Sequence, residues 1–196
     1  MAKLLYLSSP GGFDFFGGGR KGGLRLIESA FARPDTDSSR EVVIVVEIEG
    51  RLAGAMAAFP QTEAEARRWG LVRHAMRRRA PWHWPAIRRM GRQGSVATPK
   101  PPDDAFYIDA LATSPDYRRR GVARALLRHA ERLANNRGLS WLALDTTAAN
   151  EGARRLYESC GFDIGEERPA RPPIPALVGY VKRLDEPPPA PRAAPR

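Results

Sequence analysis

The sequence has few of the residues that build covalent or metal-stabilised folds. Cys160 is the only cysteine among 196 residues, and there are three histidines. A disulfide framework is excluded because it needs at least two cysteines. One cysteine and three scattered histidines also predict no metal site. The fold must therefore depend on a hydrophobic core, for which a chain of 196 residues with 42% hydrophobic content is sufficient.

Long hydrophobic runs are missing as well. No apolar run approaches the ~20 residues that a membrane-spanning helix needs. The segment Met1–Pro10 has too short an apolar stretch for a secretory signal and lacks a small-residue cleavage site. No membrane partner is predicted, and we expect a cytoplasmic protein.

Lysine is also scarce, so the positive charge is almost entirely arginine. The 32 basic residues include only four lysines, and the net charge is +10. Residues 63 to 93 hold nine arginines against Glu63 and Glu65, which is nine minus two, a local excess of +7. Such a patch attracts an anionic substrate or cofactor phosphates. Arginine, alanine, glycine and proline are all abundant, so composition alone does not favour a nucleic-acid partner.

Hydrophobic periodicity and turn residues predict one α/β (α+β) domain over residues 1–184. Its first half is expected to contain, in chain order, a mobile glycine-rich loop at 10–23, a short amphipathic helix at Leu24–Phe31, a hairpin of strands at 42–48 and 52–59, and a helical connector at about 62–104. The connector carries Trp69, Trp82 and Trp84. These either pack it onto the core, which we favour, or line an acceptor pocket.

The second half of the domain alternates strands and helices. The expected elements are a strand at Phe106–Thr113, a turn at Ser114–Tyr117, a helix at Gly121–Asn136, a strand at Trp141–Thr146, a helix at Glu151–Cys160, and an antiparallel pair at 162–166 and 177–184. Residues 185–196 hold five prolines and no hydrophobic residue larger than alanine, which predicts a disordered tail.

The segment Arg118–Ala123 predicts a phosphate site. A strand leads through a tight turn into a helix, and the first N–H groups of a helix have no intrahelical acceptor. Such a terminus binds anions, and Gly121 lets a phosphate approach the backbone. The hexapeptide alone is a weak signal, because an arginine-rich chain produces it by chance. Its position at a strand-to-helix junction makes the prediction of a phosphate site more specific.

Three stretches in a fixed order make the chain resemble the GNAT superfamily of N-acetyltransferases. They are Tyr107–Ala123, Leu142–Thr146 and Asn150–Phe162, and the span from the first to the last covers about a third of the chain. The family often has glycine where Arg119 and Ala123 stand. The resemblance implies a GNAT fold, in which helices flank a mixed central sheet that is splayed between two parallel strands. It also implies acetyl-CoA as co-substrate and no metal.

The resemblance also implies a set of cofactor-binding residues. The backbone of Leu111, Ala112 and Thr113 would hydrogen-bond the pantetheine arm as a neighbouring strand does. Asn150 would contact the same arm, and Tyr157 would lie near the thioester sulfur. The pyrophosphate would be held by Arg118, Arg119, Arg120, Gly121, Val122, Ala123 and Arg124.

The chemistry of acetyl transfer independently asks for a base, a carbonyl donor and an acid. Asp109 is the candidate base, because strand alternation places it on the same face as Leu111. The alternative role for Asp109 is an ion pair with a nearby arginine. Tyr157 is the candidate acid for the leaving thiolate, although its helical face also suits a core tyrosine. Asn150 suits a helix cap as well as a ligand contact. Cys160 is interpreted as a packing residue.

The sequence therefore predicts an N-acetyltransferase that transfers acetyl from acetyl-CoA to a primary amine of a small molecule or peptide by direct attack. Two alternatives stay open, an enzyme of the same type acting on an RNA-linked or protein N-terminal amine, and a non-catalytic acyl-CoA-binding module. A homodimer is compatible with the sequence, and a nucleic-acid partner is not favoured. Acceptor recognition is expected from the glycine-rich loop, the Leu24 helix, the connector and the final hairpin.

Overall fold

Six strands form one mixed sheet in the computed structural model, which describes residues 1–184. The predicted disordered tail at 185–196 lies outside the described residues. Across the sheet the strand order is β1-β2-β3-β4-β6-β5, and only β3 and β4 pair in parallel. In chain order the strands are β1 (Val43–Ile48), β2 (Arg51–Pro60), β3 (Ala105–Thr113), β4 (Trp141–Thr147), β5 (Asp163–Arg168) and β6 (Leu177–Arg183).

Helices cover both faces of this sheet. Those within residues 1–184 are α1 (Ala2–Tyr6), α2 (Pro10–Gly17), α3 (Arg20–Ala30), α4 (Gln61–Arg78), α5 (Trp84–Ala97), α6 (Val122–Asn136) and α7 (Glu151–Ser159). None of them is long and apolar enough to cross a lipid bilayer. The α/β (α+β) prediction is confirmed, and from β1 onward the elements follow the predicted order.

Alternation along the strands separates two hydrophobic cores. Phe106, Leu142 and Tyr180 point to one face, where they pack with residues of α6 and α7. On the other face, Ala57 packs with α1 and α3, and Tyr107 packs with Ala64 of α4. The connector therefore lies on the sheet face opposite α6.

The prediction of a mobile loop at 10–23 is wrong, because this segment forms α2 and the start of α3. Its glycines bring two helix backbones into direct contact. A Cβ at Gly17 would lie 2.1 Å from the nitrogen of Gly23, and one at Gly22 would lie 2.0 Å from the oxygen of Gly17. The absence of side chains thus serves close packing here. Phe13 anchors α2 because it packs against two groups of buried residues. One group includes residues of α1, and the other consists of residues of α3 and α4.

The connector is helical as predicted, and α4 and α5 form a hairpin. A Cβ at Gly91 of α5 would meet Val72 of α4 at 3.0 Å and Trp69 at 3.6 Å. The Trp84 indole N–H donates to the carbonyl oxygen of Met76 at 2.8 Å, near the end of α4. Trp69 and Trp84 therefore pack the connector onto itself, whereas Trp82 is 78% exposed.

β3 and β4 pair only at their amino-terminal ends. Their partners run from Ala105 and Trp141 to Ile108 and Leu144, and the two strands separate beyond that point. β3 then continues beside β2 as far as Thr113, while β4 continues beside β6. The expected splay between two parallel strands is present and produces a wedge that opens toward α6 and α7.

Candidate active site

The amino terminus of α6 presents a row of free backbone donors. The N–H groups of residues 119–124 have no acceptor within residues 1–184, and no side chain caps the helix. Gly121 precedes the helix at φ +79°, and Arg119 lies at φ +60°. This left-handed conformation disfavours residues with a Cβ, which explains why glycine suits position 119. Unpaired amides that converge at a helix start form an anion site.

A cavity of about 760 Å³ runs from these amides into the wedge. This volume lies within the ~300–1,000 Å³ range of small-molecule and cofactor sites. Its lining residues come from α1, β3, the turn before α6, α6 and α7. They are Leu7, Leu111, Ala112, Thr113, Tyr117, Arg118, Arg119, Gly121, Val122, Ala123, Arg124, Asn150, Gly152, Ala153, Leu156 and Tyr157.

Most of the residues predicted for cofactor binding meet in this cavity. Arg120 does not line it, and its guanidinium instead lies over the Tyr117 ring at 5.5 Å from the centroid. Leu7 and Tyr117 line the cavity but were not predicted. Tyr117 lies one residue before the motif and could have been included, whereas Leu7 reaches the site only through the packing of α1.

Tyr157 lies in the cavity wall with its hydroxyl unpaired. Its ring packs edge-on against Tyr180 at a centroid distance of 5.5 Å and against Phe162 at 6.1 Å. The hydroxyl makes no hydrogen bond to any of residues 1–184. Burial, followed by the nearby Asp145, raises the pKa of Tyr157 above its usual value. The phenol thus holds its proton at neutral pH and has a free hydroxyl to donate.

Asn150 fills the capping role that the sequence predicted as one of two alternatives. Its Oδ1 accepts from the Ala153 backbone N–H at 3.3 Å, which caps α7. Its Nδ2 donates to the Thr146 hydroxyl at 3.1 Å, and the residue also lines the cavity. The cap fixes the position of the side chain at the edge of the wedge.

The expected position of Asp109 relative to Leu111 is wrong because β3 contains a bulge. Ala57 pairs with Ala110 and the next residue, Ala58, pairs with Ile108, so Asp109 is an extra residue on β3. The bulge reverses the alternation, since Ala110 packs with α1 whereas Leu111 packs toward α6. Asp109 instead interacts with groups on the Tyr107 side of the sheet.

Asp109 belongs to a group of carboxyls at the apex of the wedge. Asp109 and Asp145 are the first residues of their strands beyond the last parallel pair. The Tyr107 hydroxyl donates a hydrogen bond to Asp145. Asp37, from the segment before β1, is 8% exposed and accepts from the Ser38 hydroxyl at 3.0 Å. Neither Asp37 nor Asp145 was predicted, because only tertiary packing brings them to Asp109.

The surroundings of these carboxyls favour their protonated forms. Desolvation raises the pKa of Asp109 to about 6, with a further increase from Asp145 and an opposing effect of Arg68. Solvent nevertheless reaches the Asp109 side chain, which does not line the 760 Å³ cavity. Desolvation and then the Asp109 charge raise the pKa of Asp37 to about 8. Asp109 is therefore placed to exchange a proton near neutral pH.

A smaller cavity of about 220 Å³ lies on the sheet face opposite α6. The end of the connector, the final hairpin and the sheet form its walls. Pro99, Tyr107 and Trp141 supply apolar surface, and Glu166 joins two of the walls by accepting from the Lys100 N–H at 2.9 Å. Two of the four regions expected to recognise the acceptor, the connector and the final hairpin, therefore meet beside Tyr107.

The splayed sheet, the free amides and the order of the elements define the class of protein. The model of the acetyltransferase (GNAT) family matches residues 24–162, and the chain belongs to this family. It is 37% identical over 73 residues to the [ribosomal protein bS18]-alanine N-acetyltransferase of Escherichia coli strain K12. That match covers 37% of this chain and 49% of the relative, so the chain spans about half the length of this curated relative.

Solved structures share the whole fold at low sequence identity. The N-acetyltransferase from Staphylococcus aureus Mu50 has a TM-score of 0.62 and 20% identity, covering 92% of each chain. A GNAT family acetyltransferase from Elizabethkingia anophelis, solved with acetyl-CoA bound, has a TM-score of 0.52 and 15% identity, covering 93% of this chain and 89% of that chain. These structures support the fold assignment.

Proposed function

We propose that this chain transfers an acetyl group from acetyl-CoA to a primary amine of a small molecule or peptide. The observation that carries the proposal is the row of unpaired amides at residues 119–124, which opens onto the 760 Å³ cavity beside the free Tyr157 hydroxyl. A diphosphate fits the amides and the guanidiniums of Arg118, Arg119 and Arg124. The free strand edge at 111–113 suits an extended amide-bearing arm.

The wedge supplies an acid and a base to the reaction. The amine nitrogen attacks the thioester carbonyl carbon, a C–N bond forms and the C–S bond breaks. Asp109 accepts the proton that the amine loses, directly or through water, and Tyr157 donates a proton to the departing thiolate. A backbone N–H near Leu111 or Ala112 would polarise the carbonyl oxygen.

The acceptor would enter from the side of the smaller cavity. Tyr107 lines this cavity and also bonds Asp145 at the apex of the wedge, so the cavity leads toward Asp109. The carboxyls there favour an approaching ammonium group, which must lose a proton before attack. The name of the Escherichia coli relative specifies an alanine amine of a ribosomal protein. A protein N-terminal amine is therefore the second candidate acceptor.

Ligand-induced stabilisation tests the cofactor site with a matched pair of glycine variants. Gly121 and Gly138 flank α6, both have positive φ, and a Cβ at either would meet nothing within 4 Å. Acetyl-CoA should raise the melting temperature of the parent and of Gly138→Glu by binding the native state. Gly121→Glu should abolish the rise, because it places bulk and negative charge at the amides. An undiminished rise in Gly121→Glu would refute the assignment of this site.

Thiol release then tests catalysis. The parent protein, acetyl-CoA and panels of small amines, aminoglycosides and short peptides should give acceptor-dependent release of free CoA. Binding of acetyl-CoA without release on any acceptor would favour the non-catalytic acyl-CoA-binding module.

A further inference from the structure

Beyond the first turns of α4, the α4–α5 hairpin contains no acidic residue. Between Glu65 and Asp103 there is no aspartate or glutamate, although the same stretch contains nine arginines. The hairpin geometry places the end of α4 beside the start of α5, because the Trp84 indole bonds the Met76 carbonyl. The basic residues at the end of α4 therefore lie near the start of α5, and the arginines of α5 follow over its next turns.

Four of the nine arginines lie against other parts of the fold. Arg67 pairs with Glu63 at 2.6 Å, and Arg73 pairs with Asp35 at 3.6 Å. Arg68 faces the carboxyls around Asp109, and Arg79 packs against the backbone of Gly18. These contacts are structural or belong to the candidate active site.

The other five arginines are exposed and form no ion pair with any of residues 1–184. They are Arg77, Arg78, Arg88, Arg89 and Arg92. On α5 the exposed residues recur at helical spacing, while Ile87 and Gly91 face α4. Trp82 lies between the two groups of arginines, is 78% exposed, and makes no hydrogen bond within the same residues. The basic tip is defined here as these five arginines and Trp82.

We propose that the basic tip binds single-stranded nucleic acid, with the arginines on phosphates and one base stacked on Trp82. Clustered guanidiniums neutralise a phosphate backbone, and an exposed aromatic ring supplies a surface that any base can stack on. The tip belongs to the connector, which lies on the sheet face opposite α6. The proposed nucleic-acid site is thus separate from the acetyl-CoA cavity and goes beyond the proposed function.

The composition of the tip favours this ligand over a membrane surface or an acidic peptide. An interfacial helix needs a broad apolar face, whereas the exposed side of α5 offers mainly arginines, with Trp84 and Val96 as its large exposed hydrophobic residues. An acidic peptide would use the charges but would leave the Trp82 ring without a flat partner.

The test measures the binding of a labelled uridine RNA of about twelve nucleotides by fluorescence anisotropy across a salt series. Five phosphate contacts predict a slope of log affinity against log salt of about −3.5 for a single strand. The triple variant Arg88→Gln/Arg89→Gln/Arg92→Gln should reduce the slope to about −1.4 and weaken binding at least about tenfold. Trp82→Ala should weaken binding roughly 5- to 100-fold without changing the slope.

A matched control separates the tip from the general positive charge. Arg40→Gln/Arg51→Gln/Arg128→Gln removes three exposed arginines from other elements, and it should bind like the parent. Equal weakening by both triple variants would overturn the proposal. Saturating acetyl-CoA should not displace the RNA, and displacement would place the RNA in the cofactor cavity and overturn it as well.

Alternative ligands provide the remaining outcomes. A thymidine DNA of the same length should bind similarly if only phosphates and stacking matter, and clear preference for the RNA would assign the ligand to RNA. Tighter binding of duplex DNA, of polyglutamate, or of vesicles rich in phosphatidylserine would overturn the single-strand assignment.

Discussion

The Tyr107 hydroxyl donates a hydrogen bond to Asp145 at the point where β3 and β4 separate. This bond gives Asp145 a neutral partner, since burial followed by Asp145 and Asp109 raises the pKa of Tyr107 well above its usual value. The Asp109 side chain forms no hydrogen bond or ion pair within residues 1–184, although it lies beside Tyr107 and Asp145. Of the two strand carboxyls at the apex, Asp109 is therefore the one free to accept a proton.

Asp109→Asn should remove a proton-accepting group from the reaction. The parent's kcat/KM should rise with pH through about 6, because the carboxylate form is the active base. In the variant this rise should disappear and kcat/KM above pH 7 should fall about 100-fold. Asp104→Asn, in the exposed link before β3, is the control and should keep the parental profile. An unchanged profile in Asp109→Asn would exclude Asp109 as the base.

Tyr157→Phe should slow turnover without unfolding the protein. The hydroxyl makes no hydrogen bond within the described chain, so its loss should leave the free energy of unfolding nearly unchanged. The loss of an acid should lower kcat about 100-fold or more with little change in KM. Tyr180→Phe should instead destabilise the protein, because the Tyr180 hydroxyl bonds Arg154 and Glu158 at 3.1 Å each. It should lower stability by about 1–2 kcal/mol. Steady-state kinetics and urea unfolding of both variants provide the comparison.

Asp37→Asn should alter how stability depends on pH. The folded state raises the Asp37 pKa to about 8, whereas an unfolded aspartate has a pKa of about 3.9. The folded state therefore binds this proton more strongly, and the parent loses stability as pH rises from about 4 to about 8. The variant stays neutral, so its melting temperature should exceed the parent's by roughly 10–20 °C at pH 8 and match it near pH 4. If the melting temperatures of the parent and the variant differed by the same amount at every pH from 4 to 8, the burial of Asp37 would be contradicted.

Gly70→Ala should destabilise the contact between α4 and the segment before β1. A Cβ at Gly70 would lie 1.7 Å from the carbonyl oxygen of Asp35, so the backbone must move. A cost of about 1–3 kcal/mol is expected. Gly94→Ala on α5 meets no atom within 4 Å and should stabilise its helix by about 0.5–1 kcal/mol. Denaturant midpoints of the two variants should therefore shift in opposite directions.

The part of the site that is continuous in sequence could be predicted, and the part that depends on tertiary contacts could not. Residues 111–124 and Asn150 follow one strand–helix–strand–helix path, so local pattern and resemblance placed them together. Asp37 reaches the apex from a segment more than seventy residues before Asp109, and nothing near it in sequence indicates this. The bulge at Asp109 escaped prediction because strict alternation was assumed. The glycines of α2 and α3 were interpreted as flexible because their contact across the two helices is not visible in the sequence.

Within residues 1–184, the four parallel pairs between β3 and β4 are the only ladder that joins β1–β3 to the later strands. Each side of that ladder is otherwise an antiparallel unit with its own pairing. A molecule bound across the wedge would contact both antiparallel units and would hold them together for as long as it stays bound. Amide hydrogen exchange at 105–108 and 141–144 should consequently slow together when acetyl-CoA is added, while exchange in the β1–β2 hairpin should barely respond.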